Sequence, residues 1–165
     1  EILGIDIQGS GLEIEEIQSL DKSKVAERKA RDYYEKLRKP ILVEDVSLEI
    51  EALNNLPGTY INDFAKTLGN DGICKLLEKE DKRDATAYTT LVFIDTKGRS
   101  HEFTGEIKGT IAVTPRGTDG FGWDPIFIPE GETRTFAEIK SEEKNKYSMR
   151  AKAFEKFKEW ISDKK

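Results

Sequence analysis

Residues 85–111 constrain the fold more than any other part of the chain. Residues 85–95 are rich in Thr, Tyr, Val and Phe, the residue types that favour β-strands. The Lys-Gly pair at 97–98 is a turn signal, and residues 99–111 predict a second strand directly after it. This stretch therefore predicts a β-hairpin, and the fold has to accommodate a sheet.

Apolar residues recur at helical spacing outside the hairpin. Helices are predicted over about residues 22–37, 60–68 and 72–78, and from near Ser148, whose side chain suits an N-cap, into the C-terminal region. Short strands are predicted at residues 5–7, 12–17, 41–43 and 126–128. Because strands and helices mix without strict alternation, we predict an α/β fold with a mixed sheet, in a single domain over residues 1–165.

Composition limits the classes of function and partner. The net charge is −5, which disfavours general binding to nucleic acid. No run approaches the roughly 20 apolar residues that span a bilayer, and no signal peptide is visible. Cys74, the only cysteine, excludes an internal disulfide and is expected to be buried in a helix. We therefore expect a cytoplasmic protein with neither nucleic-acid nor membrane partners.

His101, the only histidine, bears on the type of catalysis. It lies on the second predicted strand of the hairpin, where we expect a structural or surface role. A Ser-His-Asp or Cys-His mechanism would need this imidazole beside a serine or Cys74, and no pattern in the sequence suggests that. Elimination favours a mechanism based on carboxylates and a metal ion.

A glycine-rich stretch, GTDGFGWDP at residues 117–125, points to a small-molecule site. Glycines let backbone approach a ligand closely, while Phe121 and Trp123 either pack in the core or offer flat faces to a base. Lys144 and Arg150 follow within reach and carry positive charge suited to phosphate or a polar base edge. Together these residues indicate a nucleotide pocket at a loop-to-helix junction.

Two adjacent carboxylates, Glu44 and Asp45, follow the apolar run at residues 41–43. We expect them at the end of a short buried strand, because the carboxyl ends of strands are where α/β proteins place ligands. Consecutive strand residues point to opposite faces, so these two side chains cannot do the same job. An acidic pair in this position is either solvated or part of a site.

Motifs in the C-terminal half resemble one known family. They are GFGWDP at 120–125, FAE at 136–138, EKN at 143–145 and S-x-R at 148–150. Their order and spacing resemble the C-terminal signature of the inosine triphosphate pyrophosphatase family.

Two upstream groups extend this resemblance, which covers about residues 12–161. PILVEDVSL at 40–48, with LPGTY at 56–60, looks like the family's metal-site strand and the loop that follows it. EIQS at 16–19, with Lys29 thirteen residues after Glu16, is the other match.

The resemblance implies an activity and an architecture. Members of this family hydrolyse non-canonical purine nucleoside triphosphates such as ITP, dITP and XTP to the monophosphate and pyrophosphate, which cleanses the nucleotide pool. The resemblance implies that this reaction depends on Mg²⁺. It also implies an elongated, strongly curved mixed sheet with flanking helices, two lobes around a central cleft, and a homodimer.

The resemblance also implies roles for individual residues. Asp45 would bind Mg²⁺ and help to activate water, Glu44 would be its catalytic neighbour, and Glu16 would supply a further carboxylate to the metal. Periodicity alone places Lys29 on the exposed side of its helix, whereas the resemblance makes it a phosphate contact. The implied substrate-binding residues are Lys29, Phe121, Gly122, Trp123, Asp124, Lys144, Met149 and Arg150, with Phe121 stacking on the base and Asp124 bonding to it.

The sequence departs from the family pattern in three places. Met149 stands where the family has a histidine that would read a 6-oxo purine, and Asn62 stands where it often has a phosphate-binding lysine. The family's opening strand and its Thr-x-Asn-x-x-Lys phosphate loop have no counterpart here. Because the chain opens on Glu1, at what looks like the end of a helix, we expect that upstream residues have been trimmed or left out. Two alternatives therefore stay open: a catalytically impaired relative that binds nucleotides or partners, and a triphosphate pyrophosphatase with another base preference.

Overall fold

The fold is built on a five-stranded sheet in the order β2-β1-β3-β4-β5. A computed structural model describes residue 9 and residues 11–163. The strands are β1 (Ile41–Ile50), β2 (Leu56–Gly58), β3 (Asp84–Ile94), β4 (Ser100–Ile111) and β5 (Phe127–Pro129). The helices are α1 (Lys22–Leu37), α2 (Ile61–Leu76), α3 (Ser141–Lys144) and α4 (Met149–Ser162).

The predicted hairpin and the predicted α/β class are both confirmed. β3 and β4 pair in antiparallel register from Asp84–Thr110 to Ile94–Ser100. In the described part of the chain the sheet is antiparallel rather than mixed, since each of its neighbouring strand pairs runs in opposite directions. The strand predicted at residues 5–7 and the helix end predicted at residues 1–4 lie outside the described residues.

Two strand predictions differ from the structure. β1 continues to Ile50, so Glu44 and Asp45 lie in the middle of a strand rather than at its end. Pairing with β3 explains the extra length, because the ladder runs without interruption along the whole of β1. Residues 12–17 form no strand, since they lie beside α1 and Leu12 is held by a hydrogen bond from the Tyr33 hydroxyl to its carbonyl.

The helices begin and end close to their predicted bounds, for identifiable reasons. The Asp21 carboxylate caps α1 by accepting a hydrogen bond from the Lys24 amide, and the Ser148 hydroxyl caps α4 in the same way through Ala151. α2 covers both predicted helical segments, which are separated by a break at Gly69 where φ is 69° and ψ is 171°. Such a conformation is open to glycine and strained for other residues.

The two faces of the sheet are covered by different helices. On one face, Val43 and Val92 pack against the fully buried Ala30 of α1. On the other face, Leu91 packs against Phe157 of α4. Each fully buried aliphatic or aromatic side chain contributes roughly 1.5–3 kcal/mol, so both helices are fixed to the sheet by burial. Successive residues of one strand are therefore directed to different surroundings.

α4 crosses the sheet directly above Gly105 of β4. A Cβ atom at Gly105 would lie 2.0 Å from the carbonyl oxygen of Met149 and 2.6 Å from the amide nitrogen of Ala153. Only glycine permits this approach, which sets the first turn of α4 against the centre of the sheet.

His101 packs in a cluster of aromatic side chains beside the end of α4. Its imidazole packs 4.4 Å from the Trp160 ring and lies 3.3 Å from the Asp95 carboxylate. This contact agrees with the predicted structural role. Cys74 is buried in α2, as predicted. Among the described helices, none is long and apolar enough to cross a membrane.

Candidate active site

Three charged side chains meet where α1 crosses β1. The ammonium group of Lys29 lies 2.5 Å from Oε1 of Glu16 and 3.4 Å from Oδ1 of Asp45. One nitrogen therefore joins two carboxylates that are far apart in the sequence. Lys29 faces this cluster instead of the solvent that helical periodicity alone predicts. The Asp45 side chain is only 7% exposed, so this group of charges is partly withdrawn from water.

Burial and like charges perturb the proton affinity of Asp45. Desolvation, together with the nearby Glu16 and Glu44 carboxylates, outweighs the attraction of Lys29 and raises the pKa of Asp45 to about 6. Desolvation opposes the charged form of Lys29 as well, but its hydrogen bonds and attraction to Glu16 and Asp45 raise its pKa. The two carboxylates of this cluster carry more negative charge than the single ammonium group of Lys29 neutralises, so the cluster favours binding of a further cation.

Glu44 lies on the opposite face of the sheet from Asp45. Its carboxylate accepts a hydrogen bond from Nε of Arg150 in the first turn of α4, with a shortest separation of 3.0 Å. Arg150 also lies over the Phe154 ring, 5.4 Å from its centroid. The prediction that the two acids face opposite ways is thus met, and the structure does not bring Glu44 to the Asp45 cluster.

A second charged group surrounds the glycine-rich stretch. Asp124 is almost fully buried and accepts hydrogen bonds from Nζ of Lys144, at 2.5 Å, and from the backbone amide of Phe121, at 3.0 Å. The Lys144 ammonium also lies 5.3 Å from the centroid of the Phe121 ring and 4.7 Å from that of Phe136. Salt bridge and cation–π contacts therefore fix the lysine between a carboxylate and two aromatic rings.

Phe121 is the exposed member of this second group. The residue is 73% exposed, although its backbone amide is held by Asp124. The Asp124 carboxylate can approach this loop so closely only because residue 120 is glycine: its φ is 81°, and a Cβ atom at Gly120 would lie 2.2 Å from Oδ2 of Asp124. An exposed aromatic ring on a restrained loop is a surface on which a flat ligand can stack.

Trp123 and Met149 do not line this surface in the structure. Trp123 is 5% exposed and packs edge-on against Phe127, and Met149 is 6% exposed within the same apolar cluster. Trp123 therefore packs in the core in this structure, and its predicted contact with substrate stays a prediction. Met149 was predicted to bind substrate; in this structure α4 turns its side chain inward over the sheet, and the predicted substrate contact stays a prediction.

Sequence reasoning missed Asn70, which follows the break in α2. Its amide group donates a hydrogen bond to the Gly122 carbonyl at 3.0 Å, linking α2 to the glycine-rich loop. The signal available in the sequence was the Gly69-Asn70 pair, a common turn dipeptide between the two predicted helical segments.

The donors present at Asp45 suit a hard divalent cation. In residues 11–163 no group of three or more His, Cys, Asp or Glu side chains is placed to hold a metal ion. Mg²⁺ commonly takes only one or two protein carboxylates and completes its shell with water and phosphate oxygens. Glu16 and Asp45 fit that requirement, because both carboxylates lie against the one ammonium group of Lys29.

Comparison with known sequences identifies relatives along nearly the whole chain. The family model described as "Ham1 family" matches residues 1–160. A dITP/XTP pyrophosphatase from Methanopyrus kandleri is 49% identical over 160 residues, which cover 97% of this chain and 85% of that protein. An inosine triphosphate pyrophosphatase from Saccharomyces cerevisiae is 39% identical, covering 95% of this chain and 81% of that protein.

Solved structures show the same fold. The Ham1 protein of Staphylococcus aureus matches with a TM-score of 0.82 at 29% identity, covering 94% of this chain and 83% of that one. A HAM1 protein from Coxiella burnetii matches with a TM-score of 0.83 at 30% identity, covering 92% and 81%. Since sequence and fold agree along nearly the full length, the chain belongs to the Ham1 family.

Proposed function

We propose that this protein hydrolyses non-canonical purine nucleoside triphosphates, such as dITP, XTP and ITP, to the monophosphate and pyrophosphate. The observation that carries the proposal is the meeting of Glu16, Lys29 and Asp45 on one face of β1. A buried carboxylate, Asp45, and an exposed one, Glu16, beside an ammonium are suited to a metal-bound polyphosphate and its attacking water. The names of the relatives, dITP/XTP and inosine triphosphate pyrophosphatase, support the same reaction.

The groups on the other face of the sheet supply a place for the purine base. Phe121 offers an exposed ring for stacking, while Lys144 and Arg150 provide donors for the polar edge of a 6-oxo purine. Glu44 then orients Arg150 instead of sharing the work of Asp45. Among the described strands, β2 pairs only with residues 48–50, so β1 has a neighbour on one side alone at Glu44 and Asp45. A nucleotide lying across this edge would contact both faces.

The proposed reaction is attack of water on the α-phosphorus. The new bond joins the water oxygen to the α-phosphorus, the bond to the bridging α–β oxygen breaks, and pyrophosphate leaves. Asp45 accepts the proton of the attacking water, and Lys29 offsets the negative charge of the phosphates. When bound at Glu16 and Asp45, Mg²⁺ would supply Lewis-acid stabilisation of the phosphate charge.

Product analysis tests this proposal. With ITP and Mg²⁺ we expect equal amounts of inosine monophosphate and pyrophosphate, and Asp45→Asn should lower kcat by at least about 10²-fold, as loss of a general base does. Asp81→Asn, in an exposed loop, is the matched control and should keep full activity. Release of free phosphate and a diphosphate would place the attack at the γ-phosphorus and contradict the mechanism.

We also propose that the protein acts in the cytoplasm as a homodimer, as the family resemblance implies. Sedimentation of the purified protein tests the assembly, and a monomer that turns over ITP would contradict it. An impaired, purely nucleotide-binding protein is the weaker interpretation, because Lys29, Asp45, Asp124 and Lys144 keep mutual contacts that suit catalysis and base binding.

A further inference from the structure

Asn70 occupies an unusual position at the break in α2. After a break, an asparagine commonly caps the following helical turn through its side-chain oxygen. Here Oδ1 of Asn70 is buried without a hydrogen-bond partner, and the amide nitrogen donates outward to the Gly122 carbonyl at 3.0 Å. The side chain is therefore used between two elements and not within its own helix.

Gly122 is the next residue after Phe121, so this bond restrains the exposed ring. Asp124 already fixes the backbone amide of Phe121 at 3.0 Å. A Cβ atom at Gly122 would meet nothing within 4 Å, so packing does not hold this peptide in place. The Asn70 amide is thus a contact from another element that fixes the loop directly after the Phe121 ring, beside the local hydrogen bond from the Asp124 amide to the Phe121 carbonyl.

We propose that Asn70 is a positioning residue that sets the Phe121 ring for stacking on the purine base. This inference rests on the proposed function, because it takes Phe121 as the base platform. Asn70 would not touch the phosphates or the attacking water, both of which belong to the Asp45 cluster on the other face of β1. Its loss should therefore weaken nucleotide binding and leave the chemical step unchanged.

The test measures binding of inosine monophosphate by calorimetry and steady-state hydrolysis of ITP. For Asn70→Ala we expect Kd and KM to rise roughly 2- to 12-fold, the net effect of one hydrogen bond, with kcat unchanged. Asn70→Asp keeps the side-chain shape but loses the donor and should bind at least as weakly. Thr67→Ala, an exposed substitution on the same helix, is the control and should leave both constants unchanged.

A double-mutant cycle separates this inference from the proposed function. Phe121→Ala should weaken binding by itself, and Asn70→Ala should add nothing in that background because Asn70 acts through the ring. If Phe121→Ala weakens binding and Asn70→Ala does not, or if the two effects add, the role of Asn70 is refuted while the base platform stands. If Phe121→Ala leaves binding unchanged, the platform itself is refuted.

Discussion

Asp45→Asn is expected to remove activity and yet make the metal-free protein more stable at neutral pH. The carboxylate is buried beside Lys29, whose ammonium group also contacts Glu16, and its pKa of about 6 lies above the ordinary value of 3.8. An acid with a raised pKa destabilises the folded state whenever it is ionised. Asparagine has nearly the same shape, stays neutral at every pH and still offers an oxygen to Lys29.

The shift gives the size and the pH dependence of this effect. A rise from 3.8 to about 6 corresponds to roughly 3 kcal/mol of lost stability. The loss is absent below the unfolded pKa, where both states are protonated, grows as the pH rises towards the folded pKa, and is complete above it. About half of the total falls between roughly pH 5 and pH 7.5.

Denaturant unfolding of the wild-type protein and Asp45→Asn, without divalent cations, measures this effect across the pH series. The free energy of unfolding of the variant, minus that of the wild type, should rise with pH, whereas the same difference for Asp81→Asn should stay flat. Adding Mg²⁺ should stabilise the wild type more than Asp45→Asn, because binding to the folded state is linked to stability. A difference that is flat or that falls as the pH rises would refute the reasoning.

Three further substitutions test other parts of the structure. Lys144→Met should lower the free energy of unfolding, measured with denaturant, by about 3–5 kcal/mol, because it leaves the buried Asp124 carboxylate without its ion-pair partner. Adding Asp124→Asn to the same chain should restore part of that free energy. Asp95→Asn should destabilise the protein more at neutral pH than in acid. Although desolvation opposes the change, hydrogen bonds from the amides of Arg99 and Lys97 lower the pKa of this carboxyl, and the resulting stability declines as the pH falls from the unfolded pKa through the folded pKa. Unfolding curves near neutrality and near about pH 2 should therefore show a smaller destabilisation in acid. Met149→His should lower the free energy of unfolding by about 1–3 kcal/mol, because it places a polar ring in the core. It should leave the ratio of kcat/KM for ITP to that for ATP unchanged; a higher ratio would show that this side chain reaches the base.

Local patterns in the sequence predicted the elements whose residues repeat with a clear period. The hairpin of β3 and β4, helix α1 and helix α4 lie where residue type and apolar spacing placed them. The length of β1 was missed because Glu44 and Asp45 have low strand propensity, and only pairing with β3 keeps them in a strand.

The candidate site was predictable in its residue types and less so in its geometry. Phe121 and Trp123 share one glycine-rich context, yet the first ring is exposed and the second is buried against Phe127. Contacts with residues distant in the sequence decide such burial, so no local pattern distinguishes the two. Asn70 was missed for the same reason, since its partner Gly122 belongs to another element.

The register in which β1 pairs with β3 decides which acid of the candidate site faces which side of the sheet. Asp45 lies opposite Thr90, and Glu44 lies opposite Leu91. A single residue inserted or deleted before Glu44 would shift this pairing by one and exchange the surroundings of the two acids, although the composition of the strand would hardly change. Substitutions in this strand should thus be tolerated far more readily than insertions or deletions. The order of Glu44 and Asp45 along the strand matters for function as much as their presence.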